Sequence, residues 1–142
     1  MIRKTAKEIL ADSFRELAAA KAIDKITIKD ITENCGYSSA TFYRQFRDKY
    51  DLIAWAYSWD LERIMERVGI DEATWKQTLI DAANYYSEHR EYLANLLLHT
   101  SGYDSFVRNM AEINYESLKK AVTKSAVRST PDEKMEMLIR LY

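Results

Sequence analysis

The sequence predicts an all-α protein, and three observations carry that expectation. One proline and three glycines in 142 residues leave few places for tight turns and favour long helices. Apolar residues recur at three- and four-residue spacing from end to end, and no segment alternates apolar and polar in the manner of a strand. The third observation is local: the stretch ITIKDITENCGYSSATFYRQFRDKYDL, residues 26–52, reads as a short helix, a tight turn, a second short helix and the start of a third.

Taken in order, a first helix is expected from about Arg3 to Lys21, with Ile2, Ala6, Ile9/Leu10, Ser13/Phe14 and Leu17 facing inward. Ala22 to Ile26 is a short link with Asp24 and Lys25 as its polar turn. Thr27 is a good N-cap for a helix bearing Ile28, Ile31 and Thr32 on one face. Gly36 supplies the positive-φ residue that ends this helix and aims the chain at the next. Ser38 or Ser39 then caps a helix with Phe42 and Phe46 as an i, i+4 apolar pair. The opposite side of that helix carries Ser39, Ala40, Thr41, Arg44 and Gln45, with no acid among them. This is the layout of a helix-turn-helix whose second helix is narrow enough to enter a major groove.

The remainder reads as a helical body. Asp48 caps a long helix from about Lys49 to Val68, apolar on more than one side and therefore enclosed. Gly69 and Asp71 separate it from a helix at 72–88 that turns Trp75, Leu79, Ala82/Ala83 and Tyr86 inward. A helix over 89–99 buries Tyr92, Leu93, Leu96 and Leu97, and Ser101-Gly102 breaks it. Another follows over 104–124 on Phe106, Met110, Ile113/Asn114 and Ala121/Val122. Pro131 sits at the first position of a last helix, where its missing N–H costs nothing.

The composition bounds the function. No apolar run approaches the length of a membrane span and no signal-peptide pattern opens the chain, so the cytoplasm is the expected compartment and no membrane partner is expected. Cys35 is the single cysteine, and His89 and His99 stand ten residues apart, outside ordinary metal-ligand spacing. No nucleophile–base arrangement stands out, so neither an enzyme, a metal site nor a cofactor is expected. The net charge of −1 is divided: +3 over residues 1–50 and −4 over 51–142. A basic head on an acidic body suits phosphate contact at one end only.

The run from Ile26 through Gly36, TFYRQF at 41–46, Lys49 and Leu52 resembles the DNA-binding end of TetR-type transcriptional regulators, with Thr27, Ile31, Gly36, Tyr43, Phe46 and Lys49 in the family's spacing. The resemblance implies a three-helix head over 1–47 and a regulatory and dimerising helical body over 48–142. It implies a homodimer that binds a palindromic operator in double-stranded DNA. Tyr43 and Lys49, with the caps Thr27 and Ser38, would hold phosphates. Lys29, Ser39, Ala40, Thr41 and Arg44 would face base edges. An ammonium and a phenol hydroxyl near helix N-termini suit a phosphate clamp on physical grounds as well.

Trp55, Trp59, Tyr86, Tyr92, Tyr103 and Phe106 are the candidates for a small-molecule effector pocket, against the plainer reading as core. FRDKYDLIAWAY at 46–57 and SGYDSFV at 101–107 are further similar to regulators of the dihydroxyacetone-kinase-regulator type, in which a partner protein brings the signal. Members of the TetR type continue past the point where this chain stops, with two C-terminal helices that pair across a dimer, so the body is expected to be truncated at Tyr142. The competing function is a helical protein-interaction adaptor whose helix-turn-helix has lost DNA binding and persists as packing.

Overall fold

The computed structural model describes residues 3–66, 72–101, 105–125 and 140. Among them are seven α-helices and no strand: α1 (Ala6–Ala18), α2 (Ile28–Cys35), α3 (Ser39–Gln45), α4 (Lys49–Met65), α5 (Glu72–Glu88), α6 (Arg90–Leu98) and α7 (Phe106–Ser125). Ile2, Val68, Gly69, Asp71, Gly102, Tyr103 and, Arg140 apart, the expected helix after Pro131 lie outside the described residues.

α1 is shorter than its periodicity suggests. Thr5 starts it through a capping box: the Glu8 amide donates to Thr5 Oγ1 (3.2 Å) and the Thr5 amide to Glu8 Oε2 (2.6 Å). At the other end the Ala18 carbonyl accepts from the side chain of Asn95 on α6, and the helix closes at Ala18. Leu10, Ala11, Phe14 and Ala18 form the buried face. The link that follows contains one turn of 3-10 helix, Ile23–Lys25, with Ile23 fully buried while Asp24 and Lys25 remain in solvent.

α4 is the central element and packs against α1, α5 and α7. Asp48 caps it by accepting from the Asp51 amide at 2.8 Å, and Leu52, Ile53, Ala56, Tyr57 and Leu61 are buried along it. One continuous apolar core runs from Leu10 and Phe14 through Ile31, Phe42, Phe46 and Leu52 to Leu93, Leu96 and Phe106. Phe14, Phe42 and Phe106 are its largest fully enclosed side chains, each stabilising the fold by about 1.5–3 kcal/mol through area removed from water.

The structure corrects two helix faces. On α5, Leu79 is 67% exposed, Ala83 is also outward and Tyr86 is 36% exposed with only its hydroxyl turned in to Tyr57, whereas Thr78 is buried and Trp75, Ala82, Tyr85 and His89 are half-buried. The inward row is 75, 78, 82, 85, 89, one position away from the expected one, because polar groups on this row find partners inside: Tyr85 donates to Asp60 of α4 at 3.0 Å. On α6, Leu93 and Leu96 are buried as expected, but Leu97 is exposed. Asn95 occupies the position facing α1 instead.

Candidate nucleic-acid interface

The turn between α2 and α3 is set by one residue. Gly36 has φ 77 and ψ 17, the left-handed region, and ends α2. Its own amide donates to Glu33 O (3.4 Å) and the Tyr37 amide donates back to Thr32 O (2.9 Å), the paired bonds of a Schellman motif. Both satisfy carbonyls that the end of the helix would otherwise leave open. Ser38 then caps α3, accepting from the Thr41 amide at 3.2 Å and sharing a hydroxyl hydrogen bond with Thr41 Oγ1 at 3.0 Å. The crossing of α1 on α2 is fixed by buried Ser13, which donates to Ile31 O at 2.7 Å and accepts from Asn34 Nδ2.

α3 turns Phe42 fully inward, where its ring meets Phe46 and lies edge-on to Tyr43. Phe46 in turn meets Trp55, and Trp55 stacks on Trp59 at 5.5 Å and 16°, so an aromatic series links α3 to α4. On the outward side Ser39, Ala40, Tyr43 and Arg44 are exposed, Thr41 and Gln45 half-buried, and α3 contains no acid. Tyr43 presents 58% of its surface to solvent, a large value for an aromatic residue. Arg44 forms no ion pair with any described residue. Lys29, on α2, is also exposed and stands only loosely beside Glu33 at 3.7 Å.

Thr27 is exposed and accepts from the Asp30 amide at 3.0 Å, while Asp30 accepts from the Thr27 amide and from Lys21. These donors hold the Asp30 carboxyl at about 2, the Thr27 amide foremost. Lys49 is placed differently from a free surface charge. Its ammonium donates to the carbonyls of Ile23 and Ile26, both at 2.9 Å, and burial draws its pKa below the ordinary lysine value against the pull of Asp24. Two of its three N–H groups are thereby engaged in the link, and one is left for another acceptor.

The aromatic candidates of the body divide into separate places. Trp55 and Trp59 lie on α4 beside the head, with the Lys7 ammonium 5.6 Å from the Trp55 ring centre. Tyr92 lies edge-on to Phe14 of α1, and burial pushes its hydroxyl up to about 12. Tyr86 and Phe106 do converge, on Tyr57: Phe106 meets its ring edge-on at 5.3 Å. The Tyr57 hydroxyl donates to Asn114 Oδ1, so its 2.7 Å bond to Tyr86 is one that Tyr86 donates. Desolvation raises the pKa of Tyr57 and, with Asp60 beside it, of Tyr85.

A polar cluster that periodicity did not reveal joins α1 to α4 and α5. Arg15 of α1 donates to Asp60 Oδ2 (2.8 Å) and to Ala56 O (3.4 Å), and Tyr85 donates to the same carboxylate oxygen. Asn95 was equally hidden, although an amide inside the apolar run LANLLL is the kind of anomaly that marks an inward polar contact. An open groove of about 1000 Å³ lies between the end of α1 and the α5–α6 corner, with Tyr92, Asn95 and His99 on its wall. Among the described residues no cluster of His, Cys, Asp or Glu is disposed to hold a metal, and no helix is long and apolar enough to cross a membrane.

Residues 10–55 match the family model described as bacterial regulatory proteins, tetR family. The matched span begins in α1, covers the whole helix-turn-helix and ends on the first half of α4. No curated protein matches the chain.

Proposed function

We propose that this chain, whose residues 10–55 match the tetR family model of bacterial regulatory proteins, is a DNA-binding transcriptional regulator that reads a palindromic operator as a homodimer. The observation that carries this reading is the division of α3 into a buried Phe42 side and an exposed side of Ser39, Ala40, Tyr43 and Arg44 without a carboxylate. Such a surface approaches a polyanion without like-charge repulsion.

In this reading residues 1–47 form the reading head and 48–142 the responsive body. Tyr43, Thr27 and Ser38 contact phosphates from the rim of the helix-turn-helix, and Lys49 uses its remaining N–H on another. Lys29, Ser39, Ala40, Thr41 and Arg44 face the bases: the methyl groups of Ala40 and Thr41 suit thymine, and Arg44 or Lys29 suits guanine. Two heads related by a dyad engage successive major grooves roughly 34 Å apart. A small-molecule effector or a partner protein acts on the body, where the Tyr57–Tyr86–Asn114 cluster with Phe106 lies against α4, and a shift of α4 changes the separation of the heads. The protein works where bacterial DNA is, in the cytoplasm.

The test is a fluorescence-anisotropy titration against DNA from upstream of its own gene and its neighbours, at two salt concentrations. Saturable binding to one fragment in excess competitor DNA is expected. Tyr43→Phe and Lys49→Ala should weaken it by similar factors on any operator variant, and Lys49→Ala should make the salt slope shallower by about one. Weak binding to every fragment, lost with salt and indifferent to both substitutions, would refute the regulator reading in favour of an adaptor.

A further inference from the structure

The short link between α1 and α2 is held by backbone contacts from two body-side helices at once. Asn95 of α6 uses its whole amide on it: Oδ1 accepts from the Ile23 amide at 3.1 Å, and Nδ2 donates to Ala18 O at 2.9 Å and Lys21 O at 3.0 Å. Lys49, at the start of α4, donates to Ile23 O and Ile26 O. Ile23 is therefore gripped on both sides, its N–H by α6 and its C=O by α4, while its side chain is sealed in the core at 0% exposure. One turn further along, His99 at the end of α6 stands 3.6 Å from Asp24 of the same link. Only a carboxamide supplies one acceptor and two donors in this geometry; a carboxylate would face two carbonyl oxygens.

We propose that Asn95 is a positioning residue for DNA binding: through the Ile23 backbone it fixes where Lys49 holds its ammonium, and so joins α6 to a phosphate contact it never touches. The inference rests on the reading above that Lys49 meets a phosphate. A residue serving only to close the end of α1 would contribute to folding and leave the DNA contact alone. The shared Ile23 anchorage makes the two side chains one unit, and units of this kind give non-additive effects.

A double-mutant cycle tests it on the full chain, with Asn95→Ala, Lys49→Ala and the pair titrated against the operator fragment across a salt series. Asn95→Ala is expected to weaken binding by about tenfold in the native background but less than about twofold when Lys49 is already alanine. It should also flatten the salt slope by about one, as loss of a phosphate contact does. Urea midpoints establish the folded fraction of each variant. Asn95→Gln, which retains the amide but displaces it by one methylene, covers the case in which the alanine variant does not fold; its effect should have the same sign and also disappear with Lys49→Ala. Additive effects, with an unchanged slope for both Asn95 variants, would overturn the coupling while leaving the Lys49 contact intact. An unchanged slope for Lys49→Ala alone would overturn the phosphate reading and the coupling built on it.

Discussion

Replacing Gly36 with alanine is the sharpest probe of the turn that presents α3. A Cβ built at Gly36 meets no atom within 4 Å, so surrounding side chains oppose the substitution not at all. What opposes it is the backbone, since φ is 77 and an L-residue with a side chain is disfavoured there by about 1–2 kcal/mol. Part of that is offset because alanine restricts the unfolded chain, by about 0.4–1 kcal/mol. The net expectation is a loss of about 1 kcal/mol for Gly36→Ala and less for Gly36→Asn, since asparagine enters the left-handed region more readily. Against a typical stability of about 5–15 kcal/mol both variants remain folded. Urea unfolding followed by far-UV circular dichroism should rank native above Asn above Ala. Because neither substitution requires the turn to move, operator affinity should change by less than about threefold. A loss beyond about 3 kcal/mol would mean that the turn is crowded after all, and an alanine variant more stable than native would mean that Gly36 is not left-handed.

Other perturbations bear on different parts of the molecule. Thr27→Asp retains an N-cap acceptor but sets a second carboxylate beside Asp30, so stability should fall by about 0.5–1 kcal/mol, and the same carboxylate set against a phosphate should weaken operator binding at least about tenfold; equal affinity would remove Thr27 from the interface. The Asp30 carboxyl is held at about 2 instead of 3.8, so its contribution to stability is complete above pH 3.8 and disappears as pH falls through about 2. Urea midpoints of native protein and Asp30→Asn should therefore converge over that window, and a gap that stays constant from pH 7 to acid would contradict the assignment. Asp60→Asn leaves Arg15 only its longer, 3.6 Å contact with Asp12 and weakens the acceptor of Tyr85; with the pair only partly exposed, the cost should be about 1–3 kcal/mol. Thermal unfolding checks this, and a neutral result would show that the cluster contributes nothing to joining α1 to α4 and α5.

The helix-turn-helix was legible because its signals are local. Thr27, Gly36, Ser38 and Asp48 each act within four residues of themselves, and all four occupy the cap or turn position their chemistry suggests. The buried Phe42 and Phe46 follow from spacing alone. What escaped was decided between elements distant in sequence. The α5 face went astray by one position because Tyr85 and Thr78 look polar in a window of sequence, while Asp60, 25 residues away, gives Tyr85 an inward partner. Lys49 reads as a phosphate contact, and its bonds to the Ile23 and Ile26 carbonyls, more than twenty residues away, come only from the fold. The start of α1 at Thr5 was written in the sequence, as a threonine three residues before Glu8, but apolar periodicity drew the boundary outward.

α4 serves two masters. Its first turns complete the head: Leu52, Ile53 and Ala56 are buried in the core shared with Phe14, and the Ala56 carbonyl and Asp60 both receive Arg15. On the same stretch Tyr57 reaches the other way, to Tyr86 of α5 and Asn114 of α7. Residue 47 is thus not a seam at which the chain separates, because one core runs across it. A fragment ending there would leave Phe14 and Phe42 without the wall that encloses them. In an exchange of heads between two regulators, the crossover has to fall beyond Leu61, so that α4 travels with the head it closes and meets the new body only through its far side.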